Sequence, residues 1–267
     1  MNRLAARLGW SRDGGRLALV GYLPAGYPTA DEHTACVRAA FEAGVDAMEI
    51  ALPNPPLPLD GPLIQAAAAQ GATHVDGARH ALELAARGRV HPDQAVIALA
   101  YRTAFDELGA EGLLETCVAA DVDAVLMPQH TMQEQIEMAH RTRAAGLEQV
   151  LFIYLEEDLP RLAASGLPDP VVYVQSADLQ TGGGFDPAKA RERLGELRDA
   201  LVDPGATVLV GFGLKGPAEV ETLVGTSADG VVVGTAMVEA AGGGPDAVRD
   251  LAAAIQPALP KPALHRG

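Results

Sequence analysis

The feature that most constrains the fold is an alternation of short, apolar, β-rich runs with longer amphipathic segments. Most of the runs are nearly continuously apolar, as expected for strands buried on both faces of a parallel sheet. Eight strands are predicted, over residues 17–23, 47–52, 95–102, 124–127, 149–155, 171–175, 207–213 and 230–234. Helical patterns lie between them, for example over residues 29–43, 109–120, 132–145 and 187–201. Strict alternation implies right-handed parallel crossovers, so the sequence predicts an α/β protein with a (β/α)8 TIM barrel; an open doubly wound sheet is the alternative.

The length of the chain agrees with one such barrel. A hydrophobic fraction of 48% over 267 residues can bury a sizeable core, and no stretch has the composition of an interdomain linker. We therefore expect a single barrel domain over residues 1–267. The prolines after residue 256 cannot continue a helix, so a flexible C-terminal tail is predicted over 257–267.

The charge of the chain excludes several kinds of partner. Thirty-five acidic and 20 basic residues give a net charge of −15, which argues against binding to nucleic acid or to an anionic membrane surface. A single small phosphate is not excluded, because backbone N–H groups can bind it locally. The N-terminus lacks a signal-peptide pattern and no apolar run approaches 18 residues, so a soluble, cytoplasmic protein is expected.

Neither the cysteines nor the histidines suggest a metal site. Cys36 and Cys117 form no CxxC pair and fall in helical patterns, so both are predicted to be buried, reduced thiols. The seven histidines are scattered and show no metal-ligand spacing. We predict no metal and no cofactor.

Glu49 is the most unusual residue of the predicted strands. It is the only charged residue in the apolar run 47–52. A carboxylate in such a position must be paired, or its pKa rises toward the range that a general acid or base needs. The sequence pattern alone leaves two interpretations open: a catalytic carboxyl group, or a structural one satisfied by an arginine or by the backbone at the barrel floor.

Three polar side chains follow or end predicted strands. Asp60 comes eleven residues after Glu49, before Gly-Pro, where an aspartate is commonly a turn former but could also accept a hydrogen bond from a ligand N–H. Tyr101 and Tyr173 belong to the third and sixth strand regions. Aromatic residues there usually pack, although a hydroxyl could orient a carboxylate.

The C-terminal third carries three glycine-containing segments after successive strands: 181–184, 211–213 and 234–236. Glycine allows close backbone approach, and barrels of this class often bind phosphate near the ends of the last strands. Together the segments predict a phosphate site, to which Lys215 could add a cation. No P-loop or GxGxxG motif is present, so a nucleotide is not favoured.

These residues resemble the tryptophan synthase alpha subunit family. The resemblance runs from about residue 17 to 239 and is carried by the segments 21–29 (GYLPAGYPT), 48–53 (MEIALP), 59–65 (LDGPLIQ), 211–213 with Pro217, and 232–236 (VVGTA). It implies a (β/α)8 fold and cofactor-free retro-aldol cleavage of indole-3-glycerol phosphate to indole and glyceraldehyde 3-phosphate.

The resemblance also assigns roles to residues. Glu49 would be the general acid/base, Asp60 would accept the indole N–H, and Tyr173 would steady the two carboxyl groups. Tyr22, Tyr101 and Thr181 would be substrate or lid residues, with Tyr22 lining the indole pocket. The residues expected to hold the phosphate are Gly182, Gly183, Gly184, Gly213, Gly234 and Thr235.

Several loops depart from the family pattern. Segment 54–58 lacks the usual Ser-Asp-Pro, which puts pairing with a tryptophan synthase beta subunit in doubt. Segments 101–103, 128–131 and 176–184 also differ, with Gln129 near the position of a lost aspartate. The sequence therefore leaves alternatives to the family lyase: a stand-alone lyase on a related phosphorylated aryl-glycerol in specialised metabolism, or a non-catalytic barrel that activates a partner enzyme.

Overall fold

A closed ring of eight parallel strands forms the centre of the protein. The computed structural model describes residues 2–54, 60–175, 180–181, 184–185, 187–201, 203, 205–211 and 216–260, with the backbone alone at 155–156, 175, 180–181, 184–185 and 187. The barrel strands are β1 (Ala18–Pro24), β2 (Ala47–Ala51), β3 (Ala95–Leu99), β4 (Ala124–Leu126), β5 (Glu148–Ile153), β6 (Val171–Gln175), β9 (Thr207–Gly211) and β10 (Gly230–Val233). Each pairs with its neighbours in chain order, and β10 closes the ring on β1. The predicted (β/α)8 barrel is confirmed and the open sheet is wrong.

Helices surround the ring. They are α1 (Arg3–Asp13), α2 (Ala30–Glu42), α3 (Pro62–Ala72), α4 (Gly77–Ala86), α5 (Arg102–Ala119), α6 (Met132–Ala144), α7 (Leu155–Ser165), α8 (Pro187–Ala200), α9 (Pro217–Glu221), α10 (Thr235–Gly242) and α11 (Pro245–Ile255). A short antiparallel pair, β7 (Gln180–Thr181) with β8 (Gly184–Phe185), lies between β6 and α8. Within the described ranges, no helix has the length and apolar character needed to cross a membrane.

The core lies inside the barrel and between the ring and its helices. Every residue of β1, β2, β3, β9 and β10 is buried, as the continuous apolar runs predict. Cys36 and Cys117 are buried, free thiols, as predicted. Of the predicted tail, the described part packs against the barrel: Leu259 is buried and its carbonyl accepts the N–H of Leu17. Residues 261–267 lie outside the described residues.

Two predicted boundaries were wrong. The third strand ends at Leu99 instead of residue 102, because Arg102 is already the first residue of α5. Gly109, with φ 67° and ψ 169°, divides α5 into two helical parts, and the helix predicted over residues 109–120 corresponds to the second part. The fifth strand likewise ends at Ile153, because Leu155 is the first residue of α7.

Four buried carboxylates lie at the amino ends of strands and form what we call the barrel floor: Asp46, Asp123, Glu148 and Asp229. Each forms an ion pair; the pairs include Arg16–Asp46, Arg89–Asp123, Arg143–Glu148 and Arg198–Asp229. The three aspartates also accept backbone N–H groups of the preceding strand, at distances of 2.7–2.9 Å. Because these buried charges are paired and hydrogen-bonded, they tie neighbouring strands together without an isolated charge.

Candidate active site

The barrel-floor carboxylates have arginine partners, whereas Glu49 has none among the described residues. It lies on β2, in register with Tyr22 on β1 and Ile97 on β3, and is only 3% exposed. Within the described part of the chain, no side chain or backbone group forms a hydrogen bond or ion pair with its carboxyl group. Burial, together with the nearby charge of Asp60, raises the pKa of Glu49 to about 8. Thus Glu49 is not a carboxylate satisfied at the floor, and its pKa suits proton transfer near neutrality.

Asp60 faces Glu49 from the loop that leads into α3. It is partly buried and precedes Gly61, the residue that caps α3. Its backbone carbonyl accepts a hydrogen bond of 2.7 Å from the Gln65 amide. Burial raises the pKa of Asp60, and the Tyr101 hydroxyl opposes that rise by interacting with the ionised form. The site therefore combines a carboxyl group that interacts with a phenol hydroxyl, Asp60, with one, Glu49, whose pKa is raised by burial and by the charge of Asp60.

Two tyrosine side chains border the carboxyl groups. Tyr22 and Tyr101 are 6% and 7% exposed, and their hydroxyl groups interact with each other. The Tyr101 hydroxyl also interacts with the Asp60 carboxyl group, so the three side chains form a chain of contacts in the order Tyr22, Tyr101, Asp60. Burial and the two carboxyl charges raise the pKa of both phenols, so both remain protonated donors.

Tyr173 approaches Glu49 from another strand, β6. Its surroundings and the charge of Glu49 raise its pKa well above the usual value for a phenol. The ring stacks on Phe152 of β5, with centroids 5.4 Å apart. Gly211 of β9 makes room for it, because a side chain there would overlap the Tyr173 hydroxyl. Sequence reasoning missed both neighbours: Phe152 is one more apolar residue in a strand, and Gly211 was grouped with the phosphate segments.

The predicted phosphate residues are described only in part. Gly234 and Thr235 lie at the start of α10, directly after β10, and Gly234 lies near the ring of Tyr22. Gly184 is in β8 and Thr181 in β7, where only the backbone is described. Gly182, Gly183, Gly213 and Lys215 lie outside the described residues. Among the described residues of the glycine segments, those at the start of α10 lie next to Tyr22, which is predicted to line the pocket.

Comparison with known proteins places the chain in a family. Residues 10–257 match the family model described as tryptophan synthase alpha chain. The chain is 33% identical to the tryptophan synthase alpha chain of Laribacter hongkongensis, over 97% of this chain and 99% of the relative. It is 31% identical to that of Rhizorhabdus wittichii, over 100% and 99% of the two chains.

Solved structures show the same fold. Tryptophan synthase from Mycobacterium tuberculosis, in its aminoacrylate-bound form, superposes with a TM-score of 0.80 at 24% identity, over 97% of this chain and 100% of the other. Tryptophan synthase subunit alpha from Legionella pneumophila gives 0.83 at 19% identity, over 97% and 98%. The family match favours the lyase activity of the family over both alternatives that the sequence left open, the stand-alone lyase on a related substrate and the non-catalytic barrel. The chain therefore belongs to the tryptophan synthase alpha chain family, whose members are lyases that cleave indole-3-glycerol phosphate.

Proposed function

We propose that this chain cleaves indole-3-glycerol phosphate by a cofactor-free retro-aldol reaction, with Glu49 as the general acid/base. The observation that carries the proposal is the isolation of Glu49: a buried carboxyl group with a pKa of about 8 and no partner among the described residues. At neutral pH such a group is largely protonated and can still give up its proton readily.

In the proposed reaction the proton of Glu49 moves to C3 of the indole ring, which places positive charge on the ring. The Glu49 carboxylate then takes the proton of the adjacent glycerol hydroxyl. As that hydroxyl becomes an aldehyde, the carbon–carbon bond breaks and its electron pair returns to the ring. Indole and glyceraldehyde 3-phosphate leave, and Glu49 has its proton back, so no cofactor is consumed.

Asp60 would stabilise the intermediate. An ionised carboxylate beside the ring nitrogen accepts its N–H and offsets the positive charge that develops after C3 is protonated. The contact with Tyr101 favours the ionised form of Asp60. Tyr173, which lies near Glu49, would hold the acid in place from the opposite strand.

The phosphate of the substrate would bind at the start of α10. Helix N-termini offer free N–H groups and a partial positive charge, and here they lie beside Tyr22. Gly182, Gly183, Gly184 and Gly213 would complete this site. Thr235→Asp tests it, because a carboxylate at the exposed first residue of α10 favours the helix but repels phosphate. We expect KM to rise about tenfold. Thr235→Asn, which has the shape of the aspartate without its charge, should raise KM less and so separates the effect of the charge from the loss of the threonine.

Partner and location follow from the same proposal. A similar solved structure is described as tryptophan synthase, so a beta subunit that consumes the released indole is the proposed partner. Two free, buried thiols suit a reducing compartment, in agreement with the cytoplasmic location expected from the sequence.

The test is release of indole by the purified protein from indole-3-glycerol phosphate, with and without a tryptophan synthase beta subunit. Glu49→Gln removes the transferable proton but keeps the shape of the side chain, so kcat should fall by about 10²–10⁴-fold with substrate binding retained. Glu137→Gln, which alters an exposed carboxylate on α6, is the matched control and should keep wild-type activity. Absence of indole under both conditions would refute the proposed reaction; a fully active Glu49→Gln would refute the role of Glu49.

A further inference from the structure

Two of the loops that depart from the family pattern contact each other at the rim of the barrel. The backbone N–H of Arg102, the first residue of α5, donates to the side-chain oxygen of Gln129 at 2.9 Å. The Arg102 guanidinium donates back to the backbone carbonyl of Gln129, also at 2.9 Å. Gln129 lies in the loop after β4, so this reciprocal pair joins the loops after β3 and β4. We call it the rim clamp.

The rim clamp takes the place of a local helix cap. Tyr101, the residue before α5, provides no side-chain hydrogen bond to the first turn. The first N–H groups of a helix need acceptors from elsewhere, and Gln129 supplies one across 27 positions of sequence. The conformation of the chain at Tyr101 therefore depends on a residue of the neighbouring loop.

Further contacts strengthen the same junction. The ring of Phe105, in the first turn of α5, packs on the ring of His130 with centroids 4.5 Å apart. On the other side, the Thr103 hydroxyl donates to the side-chain oxygen of Asn54 at 2.5 Å. Asn54 ends the described part of the loop after β2, the loop that leads on to Asp60. The start of α5 is thus tied to the loops on both of its sides.

We propose that Arg102 and Gln129 are positioning residues for the lyase reaction: by fixing the start of α5 they hold Tyr101 against Asp60 and thereby set Asp60 beside Glu49. This inference rests on the proposed function of the site. The rim clamp consists of bonds within one chain, so the carboxyl pair is assembled before any partner binds. Lyase activity of the isolated chain should depend on the rim clamp.

The experiment compares variants at Gln129 without a partner subunit. Gln129→Met removes the side-chain acceptor, whereas Gln129→Glu keeps an oxygen for the Arg102 N–H. Because small displacements of catalytic groups cost one to two orders of magnitude, Gln129→Met should lower kcat by about 10–100-fold and change KM less than about twofold. Gln129→Glu should recover most of kcat. Gln133→Met, on an exposed position of α6, is the control and should behave as wild type.

A second measurement needs no activity. The pH-dependent difference in unfolding free energy between the wild type and Glu49→Gln reports the pKa of Glu49 in the folded protein. In the Gln129→Met background this difference should shrink, since the charge of Asp60 is no longer held beside Glu49 and raises its pKa less.

The outcomes are separable. If the wild type releases no indole, the proposed function fails, and the pH measurement alone then decides whether the rim clamp positions the carboxyl pair. If Gln129→Met keeps wild-type kcat, or loses activity that Gln129→Glu does not recover, the positioning role is refuted. An unchanged pH-dependent difference in the Gln129→Met background would also refute it.

Discussion

The raised pKa of Glu49 predicts a specific loss of stability as pH increases. In the unfolded chain the carboxyl group titrates near its ordinary value of 4.5, whereas in the folded protein it titrates at about 8. Between these values the folded state holds a proton that the unfolded state has lost. Stability from this group is therefore complete below pH 4.5 and declines as pH rises through 8.

The size of the effect follows from the two pKa values. Each pH unit in that interval lowers the free energy of unfolding by about 1.4 kcal/mol, so two units cost about 3 kcal/mol. Glu49 is almost fully buried, so solvent does not weaken the effect appreciably. Three kcal/mol is a large fraction of the 5–15 kcal/mol that typically separates folded from unfolded states, so the effect is measurable.

The assay is urea unfolding of the wild type and Glu49→Gln at pH 5.5, 6.5 and 7.5, followed by far-ultraviolet circular dichroism. All other titrating groups are present in both proteins, so their contributions to the pH dependence of the unfolding free energy largely cancel in the difference. We expect the wild type to lose about 3 kcal/mol relative to the variant across this range. Glu137→Gln, which alters an exposed carboxylate, should show a nearly constant difference. A constant difference for Glu49→Gln as well would refute the assignment of an isolated, protonated carboxyl group.

Three further predictions concern other parts of the molecule. Burial lowers the pKa of His33 from 6.5 to about 4. The contribution of His33 to stability is therefore complete above pH 6.5 and falls by about 3 kcal/mol as the pH decreases toward 4. The variant His33→Leu should show a flatter pH dependence of the unfolding free energy in the same urea assay. Gly211→Ala should destabilise the protein by about 1–3 kcal/mol, because the new methyl group displaces the Tyr173 side chain. In the Tyr173→Ala background the same substitution should cost less stability. Strictly additive effects in this double-mutant cycle would contradict the steric overlap between the two positions. Thr131→Ala removes the capping box of α6 and should lower the thermal midpoint by an amount equivalent to about 1 kcal/mol, whereas an unchanged midpoint would mean that the cap contributes nothing.

Local sequence patterns were sufficient for the strands and for the choice of Glu49. Strands buried on both faces are continuously apolar, so their number and approximate positions are visible in the sequence, and a single charged residue among them stands out. Asp60 was singled out from its motif, and Tyr173 from its place in a strand and from the family resemblance; the structure brings both near Glu49.

Tertiary structure decided what depends on neighbours that are distant in sequence. Closure of the barrel requires β10 to pair with β1, and no single strand encodes that choice. Whether a buried carboxylate is paired depends on arginines from other elements. Asp46 has two such partners, whereas Glu49, only three residues later, has none in the described part of the chain. The third strand was wrongly predicted to continue to residue 102 for the same reason, because the N–H of Arg102 finds its acceptor on Gln129 in the next loop and begins a helix there. Propensity and periodicity describe neighbours along the chain, whereas pairing, capping and pKa are set by neighbours in space.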